Sequence, residues 1–293
     1  MFIDSHVHLY PPAVNRNPAG WAKRQGEAQW ALLSTRRRPD GRAVQGFPGV
    51  AELLRTMDAA GVARAVLLGW YWERPETCAR QNRFYAACVR AHPDRLAAFA
   101  TVHPAAGRTA ALEEVRRARG EGLCGLGELS PHSQGYKVSD ATFGAVLRLA
   151  ARLKLPVNLH VTDPDSREYP GRVATPLKDF IWLARKYPGT TFILAHWGGL
   201  LPLRRLSMLK LTNVYYDTAA SPLLYDEGIW RRFLAQVPLE RVLFGSDYPL
   251  NVYPRLDAEP AMARLVAELH RSGLTAAQLR AVAGGNAKRL FAL

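Results

Sequence analysis

Cysteine is scarce: Cys78, Cys88 and Cys124 are the only three in a chain of 293 residues. Their number is odd, their spacing is wide, and no CxxC occurs. That argues against a disulfide framework or a cysteine-rich zinc site and leads to the expectation of reduced thiols in the cytoplasm. Lysine is scarce as well, 7 residues against 32 arginines. No Lys/Arg block is long enough to form a basic tail, the densest run being Arg36-Arg37-Arg38. No apolar run reaches the ~18 residues a membrane helix needs, so no membrane partner is expected. The opening MFIDSHVHLY lacks the basic and apolar regions of a secretion signal.

What is present is ordinary globular material, 48% hydrophobic and 22% charged, which excludes a disordered or fibrous chain. The net charge of +14 is unusual and raises a nucleic-acid reading. The basic residues are scattered, however, so spread surface charge is favoured and no nucleic-acid partner is expected.

Short apolar runs recur along the chain. They cover residues 1–3, 65–68, 96–102, 122–129, 156–159, 191–195, 214–216 and 242–244. Runs with so few charges suit strands buried on both faces, as a parallel sheet requires. Helical patterns lie between them at 51–57, 110–119, 142–153, 180–187, 229–236 and 261–271. This alternation favours a single α/β (β/α)8 TIM barrel spanning residues 1–293 as one domain. A doubly wound open sheet is the competitor, but it normally has fewer strands, and the Gly-rich turn it needs after the first strand is missing. Residues 10–49 form a long connection after the first strand and read as a lid. Residues 276–293 read as an extra C-terminal helix over the barrel exterior or base.

Barrel chemistry is built where strands end. The first strand runs into Asp4-Ser5-His6-Val7-His8, and alternation puts His6 and His8 on one face. The fourth ends at Glu128, the fifth at His160, the sixth at His196 and the eighth at Asp247. Four histidines and two carboxylates at one rim point to a metal ion, because buried charge is expensive unless paired or metal-bound. Such donors suit zinc first, with manganese, iron or nickel as alternatives, in one or two ions.

The HVH after the first strand, His160, the AHWGG around His196 and the FGSDYP around Asp247 together resemble the amidohydrolase superfamily. They resemble most the amidohydrolase-related branch that includes aminocarboxymuconate semialdehyde decarboxylase and its hydrolase and lactonase relatives. HWGGLLP and the closing GGNAKRLFAL are similar to that branch's sixth-strand loop and closing helix. The resemblance implies that His6, His8, His160 and Asp247 are metal ligands. His196 would bind a second metal or act as acid/base on a metal-bound water, and Asp247 would serve as the catalytic base. GLGELSP is similar to the stretch of TatD-type deoxyribonucleases in which a glutamate bridges two metals. Glu128 is thus either a ligand or a hydrogen-bonded rim carboxylate.

The leading expectation is a metal-dependent hydrolase attacking the C=O of an amide, ester or lactone in a small anionic molecule. The alternatives are non-oxidative decarboxylation of an unsaturated or aromatic acid and a TatD-like two-metal nuclease. Candidates for substrate contact are Trp70, Tyr71, Trp72, Glu73, His132 and Arg16. For the aromatics the alternative is rim packing under the lid, and for Arg16 it is solvation, as for Arg24 and the Arg36 to Arg38 run. His103 and His132 are expected to be hydrogen-bonded structural groups or to reach substrate. Gln81 and Asn82 are expected on a helix surface, with pocket donation as the alternative. Ser5 lacks the base and oxyanion partners of a serine hydrolase. A homodimer is compatible with the sequence.

Overall fold

The computed structural model describes residues 1–38, 40–251 and 262–293. Eight parallel strands stand in sequence order: β1 (Phe2–Val7), β2 (Val62–Leu67), β3 (Leu96–Ala100), β4 (Gly125–Leu129), β5 (Val157–Leu159), β6 (Phe192–Leu194), β7 (Val214–Asp217) and β8 (Val242–Leu243). Backbone bonds from Ser5 N to the Phe244 carbonyl (2.8 Å), from Asp247 N to the His6 carbonyl (2.9 Å) and from His8 N to the Tyr248 carbonyl (2.7 Å) close the last strand onto the first. The fold is the expected (β/α)8 barrel.

Each strand faces two apolar environments, which explains the unbroken apolar runs. Val7, Ala65, Leu67, Ala98, Leu126, Val157 and Leu194 pack outward against the helices. Ile3, Val66, Leu68, Ala97, Phe99, Ile193 and Leu243 form a second cluster with Ala287 and Phe291 of the C-terminal segment. The expected tail helix comprises Ala276–Arg280, a wider turn Ala281–Gly285 and Asn286–Phe291. It closes the end of the barrel where β1 begins: a side chain at Gly284 would stand 2.6 Å from the Met1 carbonyl oxygen.

The residues after β1 fold into three short helices, α1 (Pro12–Arg16), α2 (Pro18–Gln25) and α3 (Ala28–Ser34). Bridges Arg37 to Ala43 and Gln45 to Leu250 follow them. The helices expected after β1, β3, β4 and β5 are α4 (Val50–Ala60), α6 (Arg108–Gly120), α7 (Ala141–Arg152) and α8 (Leu177–Lys186). Later come Gly228–Leu234 and Ala263–Arg271, and Ala261 of the expected span lies outside the described residues.

Sequence periodicity misses the long helix after β2, α5 (Pro75–Ala91), because its buried face is partly polar. Gln81 and Asn82, expected at the surface, are buried there. Gln81 Nε2 donates to the Leu9 carbonyl at 2.8 Å, and Asn82 exchanges two 2.8 Å bonds with the backbone of Thr101. Their amides satisfy the ends of β1 and β3, where the backbone leaves the sheet. Among the described residues, no helix is long and apolar enough to cross a membrane.

Candidate metal centre

His6 projects from β1 and His8 follows it, Glu128 projects from β4, His160 and His196 follow β5 and β6, and Asp247 follows β8. The structure brings all six together at the strand ends. His6 Nε2 lies 3.2 Å from His8 Nε2, and His160 Nδ1 lies 3.2 Å from His196 Nε2.

The other nitrogen of each ring is held from outside the cluster. His6 Nδ1 donates to Asp217 Oδ2 at 3.0 Å, His8 Nδ1 to the Leu68 carbonyl at 3.0 Å, and His196 Nδ1 to the Ala219 carbonyl at 3.0 Å. Thr162 Oγ1 spends its proton on the Val173 carbonyl at 2.7 Å and so accepts from His160 Nε2 at 3.2 Å. These bonds set the four tautomers, so each ring turns a lone pair inward. Facing lone pairs at such distances repel unless something positive sits between them. The donor set therefore fits a divalent cation.

Glu128 splits its carboxylate between the two histidine pairs. Oε2 stands 3.9 Å from His6 Nε2 and 3.7 Å from His8 Nε2, while Oε1 stands 3.0 Å from His160 Nδ1 and 3.6 Å from His196 Nε2. Asp247 Oδ1 lies 3.7 Å from His6 Nε2 and 3.4 Å from His8 Nε2. The geometry thus groups His6 and His8 with Glu128, and Glu128 again with His160 and His196.

The field at this mouth favours positive charge. Burial disfavours a charged His6, but Asp217, with Glu128 and Asp247 beyond it, raises the imidazole to about 10. Burial likewise opposes charge on His196, and its Glu128 contact and Asp247 raise it to about 9. Burial would raise both carboxyls, yet the histidines hold Glu128 well below the usual carboxylate range and Asp247 below it too. Asp4, beside these donors on β1, holds backbone. Its Oδ1 accepts from Ser246 N at 2.9 Å and His6 N at 3.1 Å, and burial pushes its carboxyl up to about 6.

Two donors sit on strained backbone. His196 has φ +57° and begins a left-handed turn through Trp197 (+56°), Gly198 (+59°), Gly199 (+57°) and Leu200 (+57°). Asp247 has φ +66°. Each such non-glycine residue costs about 1–2 kcal/mol and persists only where surrounding bonds enforce it.

Asp217, at the end of β7, was missed from the sequence. Oδ2 accepts from His6 Nδ1 and, at 2.9 Å, from Asn158 Nδ2, and Oδ1 accepts from His196 N at 3.2 Å. Asking what the seventh strand ends with, as for the other strands, would have found it.

The family model for amidohydrolases matches residues 3–293. The chain belongs to the amidohydrolase family. Solved structures with this barrel include 5-carboxyvanillate decarboxylase from Sphingomonas paucimobilis (19% identity, TM-score 0.74, 100% of this chain and 99% of that one). The Novosphingobium aromaticivorans 5-carboxyvanillate decarboxylase, complexed with manganese and 4-hydroxy-3-methoxy-5-nitrobenzoic acid, matches at 18% identity and TM-score 0.78, over 100% and 96% of the two chains. An amidohydrolase II matches at 21% identity and TM-score 0.70 over 100% of both chains. No curated protein matches the chain. These likenesses agree with the amidohydrolase fold.

The remaining expected residues separate into a mouth and its supports. Tyr71 lies 5.1 Å from the His160 ring and stacks on Trp70 at 4.4 Å, and Trp70 meets the His8 ring edge-on at 5.1 Å. Trp72 packs against Trp21 of α2 and Trp30 of α3, and its indole N–H donates to Gln81. Glu73 accepts from Gln29 N of α3 at 2.7 Å. His132 pairs with Asp179 at 2.9 Å, and His103 bonds to the Gln134 carbonyl and Ala105 N, both at 3.0 Å. Arg16 is exposed at the end of α1.

Proposed function

We propose that this amidohydrolase-family enzyme removes the carboxylate of an aromatic acid without oxidation. The observation that carries this reading is the flat aromatic wall beside the histidines, Tyr71 stacked on Trp70 at 4.4 Å and lying 5.1 Å from His160. It suits a planar substrate. The likeness to solved decarboxylases of 5-carboxyvanillate and of 2,6-dihydroxybenzoate supports it.

Arg36 supplies a cationic partner for the acid. Its guanidinium lies 4.7 Å over the Tyr169 ring, and Tyr169 stands close enough to Asp247 to feel its charge. Its Nε donates to the Leu33 carbonyl at 3.2 Å, leaving the terminal nitrogens for an anion. A bound divalent cation would withdraw electrons from the substrate's anionic oxygens. The ring carbon that loses CO2 gains a proton in exchange. Where only the ion on His6, His8 and Asp247 is bound, His196 Nε2 would carry that proton, 3.6 Å from Glu128 Oε1.

Zinc and manganese both suit these donors. His6, His8, Asp247 and one Glu128 oxygen would hold one ion. His160, His196 and the other Glu128 oxygen would hold a second. That split favours a second reading, hydrolysis of a C=O by a two-ion centre. Manganese- or zinc-loaded protein, supplied with hydroxylated benzoates and separately with lactones and esters, tests both. Carbon dioxide release from a benzoate supports the first reading. Turnover of lactones or esters alone replaces it with the second.

A further inference from the structure

We propose that Glu268 is a positioning residue for His196, acting through Ser221 and Trp197. Glu268 lies on the helix Ala263–Arg271 and is 2% exposed. Its Oε1 accepts the indole N–H of Trp230 at 2.8 Å and the hydroxyl of Ser221 at 3.2 Å. Ser221 Oγ accepts the indole N–H of Trp197 at 3.0 Å. Trp197 follows His196 in the left-handed turn and is fully buried against the rings of Trp230 and Phe233, both at 4.9 Å.

The direction of this chain follows from its donors. An ionised carboxylate only accepts, and an indole N–H only donates. Serine has one proton, so with Glu268 on one side it gives that proton to Glu268 and turns a lone pair to Trp197. The indole bond then holds a non-glycine residue at φ +56°, a conformation that needs such enforcement. His196 takes its other two anchors, Asp217 Oδ1 and the Ala219 carbonyl, from the segment that Ser221 continues. Glu268 therefore braces that segment from the side away from the metal centre.

The test uses the whole chain and reads His196 directly. The side-chain nitrogen resonances of His196 are recorded without added metal, and manganese affinity is measured by competition with a chelating dye. Trp197→Phe and Ser221→Ala keep most of the packing and cut the path. Both are expected to shift the His196 resonances and weaken manganese binding about tenfold, the scale of a lost outer support. Glu268→Gln keeps an accepting oxygen and is expected to stay within twofold of wild type, whereas Glu268→Met behaves like Ser221→Ala. Trp230→Phe cuts the indole bond from Trp230 to Glu268 and is expected to leave both readouts unchanged. Unmoved His196 resonances in Trp197→Phe and Ser221→Ala overturn the proposal, as does an equal effect from Trp230→Phe. Because the resonances need no metal, they decide the proposal even if the wild-type chain fails to bind manganese.

Discussion

Asp217 accepts the Nδ1–H of His6 at 3.0 Å, and that bond decides which nitrogen of His6 faces the other donors. Asp217→Asn keeps the size and replaces an acceptor oxygen by an amide. Metal affinity should fall by about 10–100-fold, as for other supports of metal-binding histidines. A chelator competition titration measures it, and an affinity equal to wild type would argue that the bond is only structural.

Glu128 offers one oxygen to each histidine pair, so metal content reports its role. Wild-type protein saturated with manganese and freed of excess should carry two ions per chain, and Glu128→Ala at most one. Elemental analysis reads this directly. One ion per wild-type chain would remove the support for the two-ion hydrolytic reading.

Arg36 is proposed to meet the substrate's carboxylate. Charge-assisted bonds of that kind contribute about 1.5–3 kcal/mol, so Arg36→Met should raise KM for an aromatic acid by about 10–100-fold. The melting temperature should change little, since the guanidinium is only half-buried. An unchanged KM would move the anion contact elsewhere.

Gly198 tests the turn that carries His196. A methyl group there would stand 2.8 Å from the Tyr216 ring at φ +59°. Gly198→Ala should cost about 2–4 kcal/mol from the clash and the left-handed backbone. Gly120→Ala, in α6 with open space around it, should be neutral or stabilise by up to about 1 kcal/mol. Urea denaturation of the two variants makes the comparison.

Glu27 gives a pH dependence of stability. It is buried just before α3, where it accepts from Glu73 N at 2.7 Å and Arg74 N at 3.2 Å and so ties this segment to the start of α5. Burial, the largest influence, raises its carboxyl from 4.5 to about 7 despite these bonds. The folded chain thus holds this proton more tightly than the unfolded chain. Glu27's contribution is full below the unfolded value and is lost as pH rises towards 7, by roughly 2–4 kcal/mol. Unfolding free energies between pH 5 and 8 should therefore fall less steeply in Glu27→Gln than in wild type. Parallel slopes would contradict the assignment.

Much of the barrel and rim was legible in the sequence. A parallel barrel buries its strands on both faces, so they read as unbroken apolar runs, and functional side chains gather where those runs end. That logic placed His6, His8, Glu128, His160, His196 and Asp247 at one rim from residue order alone, because it needs only local pattern and a closed sheet. Pairing within the rim was not legible. That His160 faces His196, that Asp217 reaches His6 across 211 positions, and that Glu128 divides its oxygens all depend on strand register and on how β8 closes onto β1. The polar face of α5 and Glu27's hold on Glu73 and Arg74 were hidden for the same reason. A buried amide or carboxylate looks solvent-facing in a sequence until the distant backbone that satisfies it is folded against it. Local composition determined the barrel and its rim, and tertiary closure decided which nitrogen, oxygen and lid residue meet.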